Sequence, residues 1–351
     1  MTENNLPDQK SIIRIVFSKN NVVLISTIVI FLLFSIFADG FFSTRNIVSI
    51  LRSMSIIAVI GFGLTFILTM GEIDLSIASV PALAGCMIPF LLNIGLNPYL
   101  IILIALITGL CVGIISGLIV SYTDLPGIII TMAISMIVSG IAYIISDQTT
   151  KVVSNEQILS VISGSLGLFP LMAVWMIVFL FISYFILHKT KFGRNISFVG
   201  ENKNAAFFSG IKIKTAYIIT FGLAGLFSGA GGILGVGLAS NASPMMITNS
   251  MMTVIAAVVL GGTSLTGGRG NIIGTLLGAF FLTLISNGFL ILGIDQWILY
   301  LVNGITIISV LIIGYLEGGS LFRKNMKNLV FKKKFGGIPS TQSEQHHRSS
   351  N

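Results

Sequence analysis

Residues 98–122 read PYLIILIALITGLCVGIISGLIVSY, a run without one Asp, Glu, Lys, Arg or His. A helix over it would be about 37 Å long, enough to cross ~30 Å of hydrocarbon. In lipid, backbone polar groups must be paired within the segment, so a run this long reads as a helix. Working outward, similar runs occupy about 22–38, 47–70, 75–94, 126–146, 168–188, 215–239, 248–267, 271–292 and 297–316. The expectation is an all-α fold, a polytopic membrane helix bundle of about ten transmembrane helices. It divides the chain into a cytoplasmic N-terminal segment, 1–21, a transmembrane domain, 22–316, and a basic cytoplasmic tail, 317–351. The tail is polar and poor in apolar residues, so it is expected to be largely disordered. The third run carries Pro81 and Pro89, the fifth follows Leu125-Pro126-Gly127, and the eighth ends in glycines. Those three are the candidates for broken or re-entrant helices.

Composition agrees. The apolar share is 54% and the charged share 9%, with a mean hydropathy of +0.98. Soluble domains carry about 25% charged residues, so lipid must be the main solvent. A soluble catalytic domain does not fit beside the spans in 351 residues. The first apolar run follows Lys10, Arg14 and Lys19. It is longer than a signal peptide's apolar core and lacks a good small-x-small site, so it reads as an uncleaved span. Cys86 and Cys111 lie in apolar runs without metal or redox spacing and read as small core residues.

Basic residues set the orientation. With the N-terminus inside, the loop at 189–214, Arg269 and the tail are cytoplasmic, and so are both termini. Of the 20 basic residues, only Arg45, Arg52 and Lys151 then fall outside. The net charge of +8 is therefore a matter of topology and gives no nucleic-acid face. The external loop 147–167 is weakly charged and rich in Ser and Gly. Glycines repeat at helical spacing, as in Gly109-xxx-Gly113-xxx-Gly117, Gly225-xxx-Gly229 and Gly231-xxx-Gly235. Such faces let helices approach closely in lipid, here within the bundle.

None of the 12 acidic residues sits mid-span in this layout. Ion-coupled carriers hold their ion with a carboxylate, His or Lys at membrane depth, and no such group is offered. Nor is there a phosphate-cradling GxxxxGK[ST] loop. Gly261-Gly262-Thr263-Ser264-Leu265-Thr266-Gly267-Gly268 lacks the lysine and reads as a tight interhelical turn. No catalytic pairing occurs in the spans. His346 and His347, adjacent in the tail, do not make a metal site. Any energy must come from another protein. The cytoplasmic loop offers a contact for one: Asn202 to Gly210 holds Ala205, Ala206, Phe207 and Phe208, with Ser209-Gly210 as a helix stop. A short helix of this kind suits a partner's groove; it suits a connector on the membrane surface equally.

Three stretches carry a family resemblance. They are Gly71-Glu72-Ile73-Asp74-Leu75-Ser76-Ile77-Ala78-Ser79; Thr190-Lys191-Phe192-Gly193-Arg194-Asn195 with Gly200-Glu201-Asn202 through Ala205-Ala206 to Ser209-Gly210-Ile211; and Val259 to Gly270, running on to Gly278. Together they resemble the permease subunits of ribose-type ABC sugar importers, in the larger family that includes branched-chain amino-acid permeases. The resemblance implies a bacterial inner-membrane, multi-pass permease for a small polar, sugar-like solute, with no cofactor of its own. Its implied partners are a cytoplasmic ATPase subunit that uses ATP, an extracytoplasmic solute-binding protein, a second permease copy or related chain, and membrane lipid. Gly200, Glu201, Asn202, Ala205, Ala206, Ser209, Gly210 and Ile211 would be the ATPase-coupling loop. Glu72, Asp74, Ser76, Gly261, Gly262, Gly267 and Gly268 match motif positions whose role stays open; Glu72 and Asp74 are expected to cap the next helix, with ATPase contact or pore gating as alternatives. Glu72 stands where glycine is usual, and Ala78 replaces another glycine. Substrate-binding residues are not readable. Polar residues within spans, Thr65, Thr69, Ser116, Thr131, Ser135, Asn287 and Asn303, suit either a neutral solute or neighbouring helices. A stand-alone carrier or channel, or an amino-acid permease, remains the alternative.

Overall fold

Apolar side chains around whole helices, with backbone bonds closed inside each, give this chain its form. The computed structural model describes residues 19–123, 125–246, 250–295, 297, 298, 301, 302, 304, 305 and 308. Contacts divide the chain into Met1–Ile305 and Thr306–Asn351, and the first is described below. The start of the N-terminal segment (1–18), Asp124, Asn303 and the tail with His346 and His347 lie outside the described residues, as does most of the last expected span, 297–316.

The helices are α1 (Lys19–Phe37), α2 (Thr44–Thr69), α3 (Val80–Asn93), α4 (Pro98–Tyr122), α5 (Gly127–Ile145), α6 (Glu156–Ser163), α7 (Leu171–Lys189), α8 (Lys191–Glu201), α9 (Lys203–Phe208), α10 (Ile213–Ala239), α11 (Met251–Leu260) and α12 (Ile272–Ile291). Among the described residues, seven segments are long and apolar enough to cross a membrane: α2, α4, α5, α7, α10, α12, and α3 together with the 3-10 turn Ser76–Ala78. The chain is a multi-pass membrane protein.

Two expected spans are interrupted. Within 75–94, regular α-helix begins only at Val80, because the chain first makes the 3-10 turn; Pro81 is then accommodated in the opening turn. Within 248–267 the helix is α11, ten residues or about 15 Å, half the hydrocarbon thickness. Upstream, the chain leaves helical geometry to form β4 (Asn241–Ala242), antiparallel to β1 (Lys151–Val152). Downstream, Gly262 takes a left-handed φ of +88°, and Thr263 N–H closes on the Val258 carbonyl at 3.3 Å, ending the helix. The loop 147–167 is also ordered: Asn155 caps α6 through the Ile158 N–H, and β2 (Ser165–Leu166) pairs with β3 (Phe169–Pro170).

Helix α10 is the hub, packing against α2, α3 and α4. The glycine faces meet there: a β-carbon on Gly113 would collide with the Phe221 carbonyl, and one on Gly225 would lie 2.9 Å from Gly113 Cα. These faces are spent within the chain. Several span hydroxyls and amides are spent likewise. Thr65 shares a 2.8 Å bond with Thr275, Ser116 bonds the Val112 carbonyl, and Asn287 exchanges two 2.9 Å bonds with Asn46. Exposed apolar residues such as Leu103, Met136 and Phe181 form the lipid-facing belt. Cys86 is buried as expected, but Cys111, on α4, is exposed.

Candidate coupling site

The loop 189–214 folds as two short helices because its capping residues fall at the right places. Thr190 accepts from the Gly193 N–H at 3.2 Å and opens α8. Asn202 ends α8 and opens α9, accepting from the Ala205 N–H at 2.9 Å. At the far end Gly210, φ +77°, lets Gly210 N–H reach the Phe207 carbonyl and Ile211 N–H the Ala206 carbonyl, at 3.0 and 3.1 Å. Ala206 is buried beneath α9, and Ala205 and Ile211 are half-buried. Glu201, Asn202, Ser209 and Gly210 are exposed. Phe207 and Phe208 stand 66% and 87% exposed, with their rings edge to face at 5.7 Å.

All three motif stretches come together beneath this pair of helices. A β-carbon on Gly200 would collide with the Thr69 carbonyl oxygen and lie 2.7 Å from Gly268 N. Gly267 would meet the Gly200 carbonyl at 2.5 Å and Gly71 Cα at 2.9 Å. The Gly268 N–H donates to the Thr69 carbonyl at 2.8 Å, so the end of α2, the end of α8 and the 261–271 turn touch backbone to backbone. Gly261 is pressed against Gly274, and Asn271 ties the turn together: its amide donates to the Gly261 carbonyl and its oxygen accepts from Gly274 N–H, both at 3.0 Å.

The acidic pair separates into two roles. Asp74 is buried and accepts from Ser76 N–H at 2.8 Å and Ser76 Oγ at 2.6 Å, capping the 3-10 turn before α3. Burial raises its carboxyl to about 6, against the lowering by the Ser76 bonds. Glu72 does not cap that turn. Its Oε1 accepts from Tyr217 Oη of α10 at 2.7 Å, and its Oε2 faces Gly127, at the start of α5, which lacks a capping side chain. A carboxylate suits that position because of the helix dipole. Lys203 of α9 lies over the Tyr217 ring, 5.0 Å from its centroid. A chain of contacts thus runs from α9 through Tyr217 and Glu72 to α5. Sequence reading missed Tyr217, which is 145 residues from its partner with nothing in the local pattern around either to point to the other; Thr69 was noted for its hydroxyl, not for the carbonyl that takes the Gly268 N–H.

Residues 46–311 match the family described as branched-chain amino acid transport system / permease component. The chain is 31% identical to the ribose import permease protein of Escherichia coli K12 over 294 residues, 83% of this chain and 92% of that protein. It is 32% identical to the ribose import permease protein of Bacillus subtilis strain 168 over 282 residues, 80% of this chain and 88% of that one. The D-allose transport system permease protein of Escherichia coli K12 is 29% identical over 84% of this chain and 90% of its own. No solved structure matches the chain. With the glycine-packed junction of its three motifs and its membrane-spanning helices, the chain belongs to the branched-chain amino acid transport system / permease component family.

Proposed function

We propose that the chain is the membrane-spanning subunit of an ATP-driven importer and forms the path for a small sugar-like solute, a monosaccharide. The observation that carries this reading is α9, which presents Phe207 and Phe208 to the exterior of the bundle while its base is fixed to the junction of the three motifs. Exposed adjacent aromatic rings on a capped one-turn helix suit a groove in a soluble partner, and that partner is the cytoplasmic ATPase. The matched relatives carry ribose and allose in their names, which supports a sugar as solute. The chain performs no catalysis; ATP is hydrolysed by the partner, and an extracytoplasmic binding protein delivers the solute. A second permease copy or related chain completes the path. Counting α1, α11 with its extended approach, and a last span beyond Leu292, the membrane domain has about ten crossings, both termini in the cytoplasm of a bacterial cell and the inner membrane as its site.

Closure of the ATPase on ATP would displace α9. Because Gly71, Gly200 and Gly267 leave no side chain to absorb the motion, α2, α8 and the 261–271 turn would move together. A bundle with two packings then switches between outward- and inward-facing forms. In proteoliposomes holding the permease, ATPase and binding protein, Glu201→Lys and Gly210→Trp should leave the permease inserted but abolish ATP-dependent uptake. Uptake by the permease alone, without ATPase, would instead assign it to the stand-alone carriers.

A further inference from the structure

At the end of α2 far from the coupling site, Arg45, Ser49 and Arg52 fall on one helix face. If the 26 residues of α2 are centred on a ~30 Å hydrocarbon layer, Arg52 lies roughly 8 Å inside its boundary. An arginine turned to lipid at that depth is costly, which favours a face that meets water or a ligand. It does line a cavity of about 440 Å³, together with Thr44 and Ser165 and an otherwise largely apolar wall. That volume suits a small solute. Arg52 Nε is buried there without a hydrogen-bond partner. Among the described residues no carboxylate or amide lines the cavity. Its polar wall consists of two guanidiniums, which only donate, and three hydroxyls. A neutral sugar leaves both positive charges uncompensated. A hydroxylated anion brings a negative charge to the two guanidiniums, and its hydroxyls meet the same three side-chain hydroxyls.

We propose that this cavity binds a small hydroxylated anion of the sugar-acid class, with Arg52 on the anionic oxygens and Thr44, Ser49 and Ser165 on the hydroxyls. That it lies on the transport path rests on the importer reading; that it binds does not. The test uses the full chain in nanodiscs and titration calorimetry with D-galacturonate, D-ribose and inorganic phosphate. Galacturonate should bind, with affinity at least about 10-fold above that of ribose or phosphate, since it alone brings both a charge for the half-buried Arg52 and hydroxyls for Thr44, Ser49 and Ser165. Arg52→Gln should weaken it by about 10-fold or more, Arg52→Lys less, and Arg45→Gln at the exposed rim by about 3-fold. Equal binding of ribose, or galacturonate binding indifferent to both Arg52→Gln and Arg45→Gln, would overturn the proposal. Phosphate binding as tightly as galacturonate would reduce the cavity to a bare anion site and overturn it too. A lipid headgroup offers the same anionic oxygens. Loss of galacturonate binding in phosphatidylglycerol discs but not phosphatidylcholine discs would give the cavity to lipid. Failure of the importer reading would show separately, as absent ATPase association with galacturonate binding intact.

Discussion

Replacing Gly200 by alanine tests the junction directly. The added β-carbon would collide with the Thr69 carbonyl oxygen and stand 2.7 Å from Gly268 N and 3.0 Å from Met70 C. All are backbone atoms, so no side chain can rotate away. Either α8 shifts or the 2.8 Å bond from Gly268 N–H to the Thr69 carbonyl breaks. Overpacking costs about 1–3 kcal/mol and a buried bond left unmade about 1–3, for a total of about 2–6 kcal/mol. In a chain of this size that corresponds to a fall in thermal midpoint of roughly 3–8 °C. The assay is thermal unfolding of the detergent-purified permease, with transport per ATP hydrolysed measured well below the midpoint. Both should fall. Gly40→Ala is the control: φ is +79° but nothing lies within 4 Å, so only left-handed strain of about 1–2 kcal/mol applies, and coupling should survive. A Gly200→Ala permease with unchanged midpoint and coupling would refute the backbone contact.

Phe208→Ala should leave folding intact and weaken association with the ATPase by roughly 10–100-fold, the loss of one buried aromatic side chain at about 1.5–3 kcal/mol; co-purification at graded ATPase concentrations reads it. Tyr217→Phe and Glu72→Ala should each destabilise the permease, and the double variant by less than their sum, because both remove the same 2.7 Å bond; additive losses in thermal unfolding would deny the pair. For Asp74 the folded value, about 6, lies above the unfolded 3.8. Its contribution is therefore full below about 3.8 and is lost as pH rises through about 6. Asp74→Asn, which keeps an acceptor for Ser76, should flatten that window and raise the midpoint at neutral pH; a pH profile identical to wild type would contradict it.

Uniform apolarity made α4, α5, α7, α10 and α12 legible, since a charge-free run of this length has one stable form in lipid. The same uniformity hid the brevity of α11. Upstream, Asn241-Ala242 leave the helical path by pairing with β1 some 90 residues earlier, a partner no local pattern names. The small and aromatic residues 205–208 and the glycine stop at 210 made α9 readable as a short helix, whereas α8 and the caps Thr190 and Asn202 emerged only in the structure. The convergence of Gly71, Gly200 and Gly267 was not readable, because close backbone approach leaves only a glycine in each sequence, with nothing to say which glycines meet. Asp74 was expected at a helix start and caps a turn there; Glu72 serves a different helix, through a tyrosine on a third. Arg45 and Arg52 stood out as exceptions to the charge asymmetry, yet their shared cavity needed the hairpin at 165–170 to close it.

The claim that this bundle is driven from the cytosol through α9 is tested most directly by a single cysteine at position 208. Cys86 and Cys111 are first replaced by serine, since Cys111 is exposed. A membrane-impermeant maleimide should then label Phe208→Cys in inverted vesicles only, and the bound ATPase should block it. Labelling from the outer face of sealed right-side-out vesicles, or labelling indifferent to the ATPase, would contradict the account.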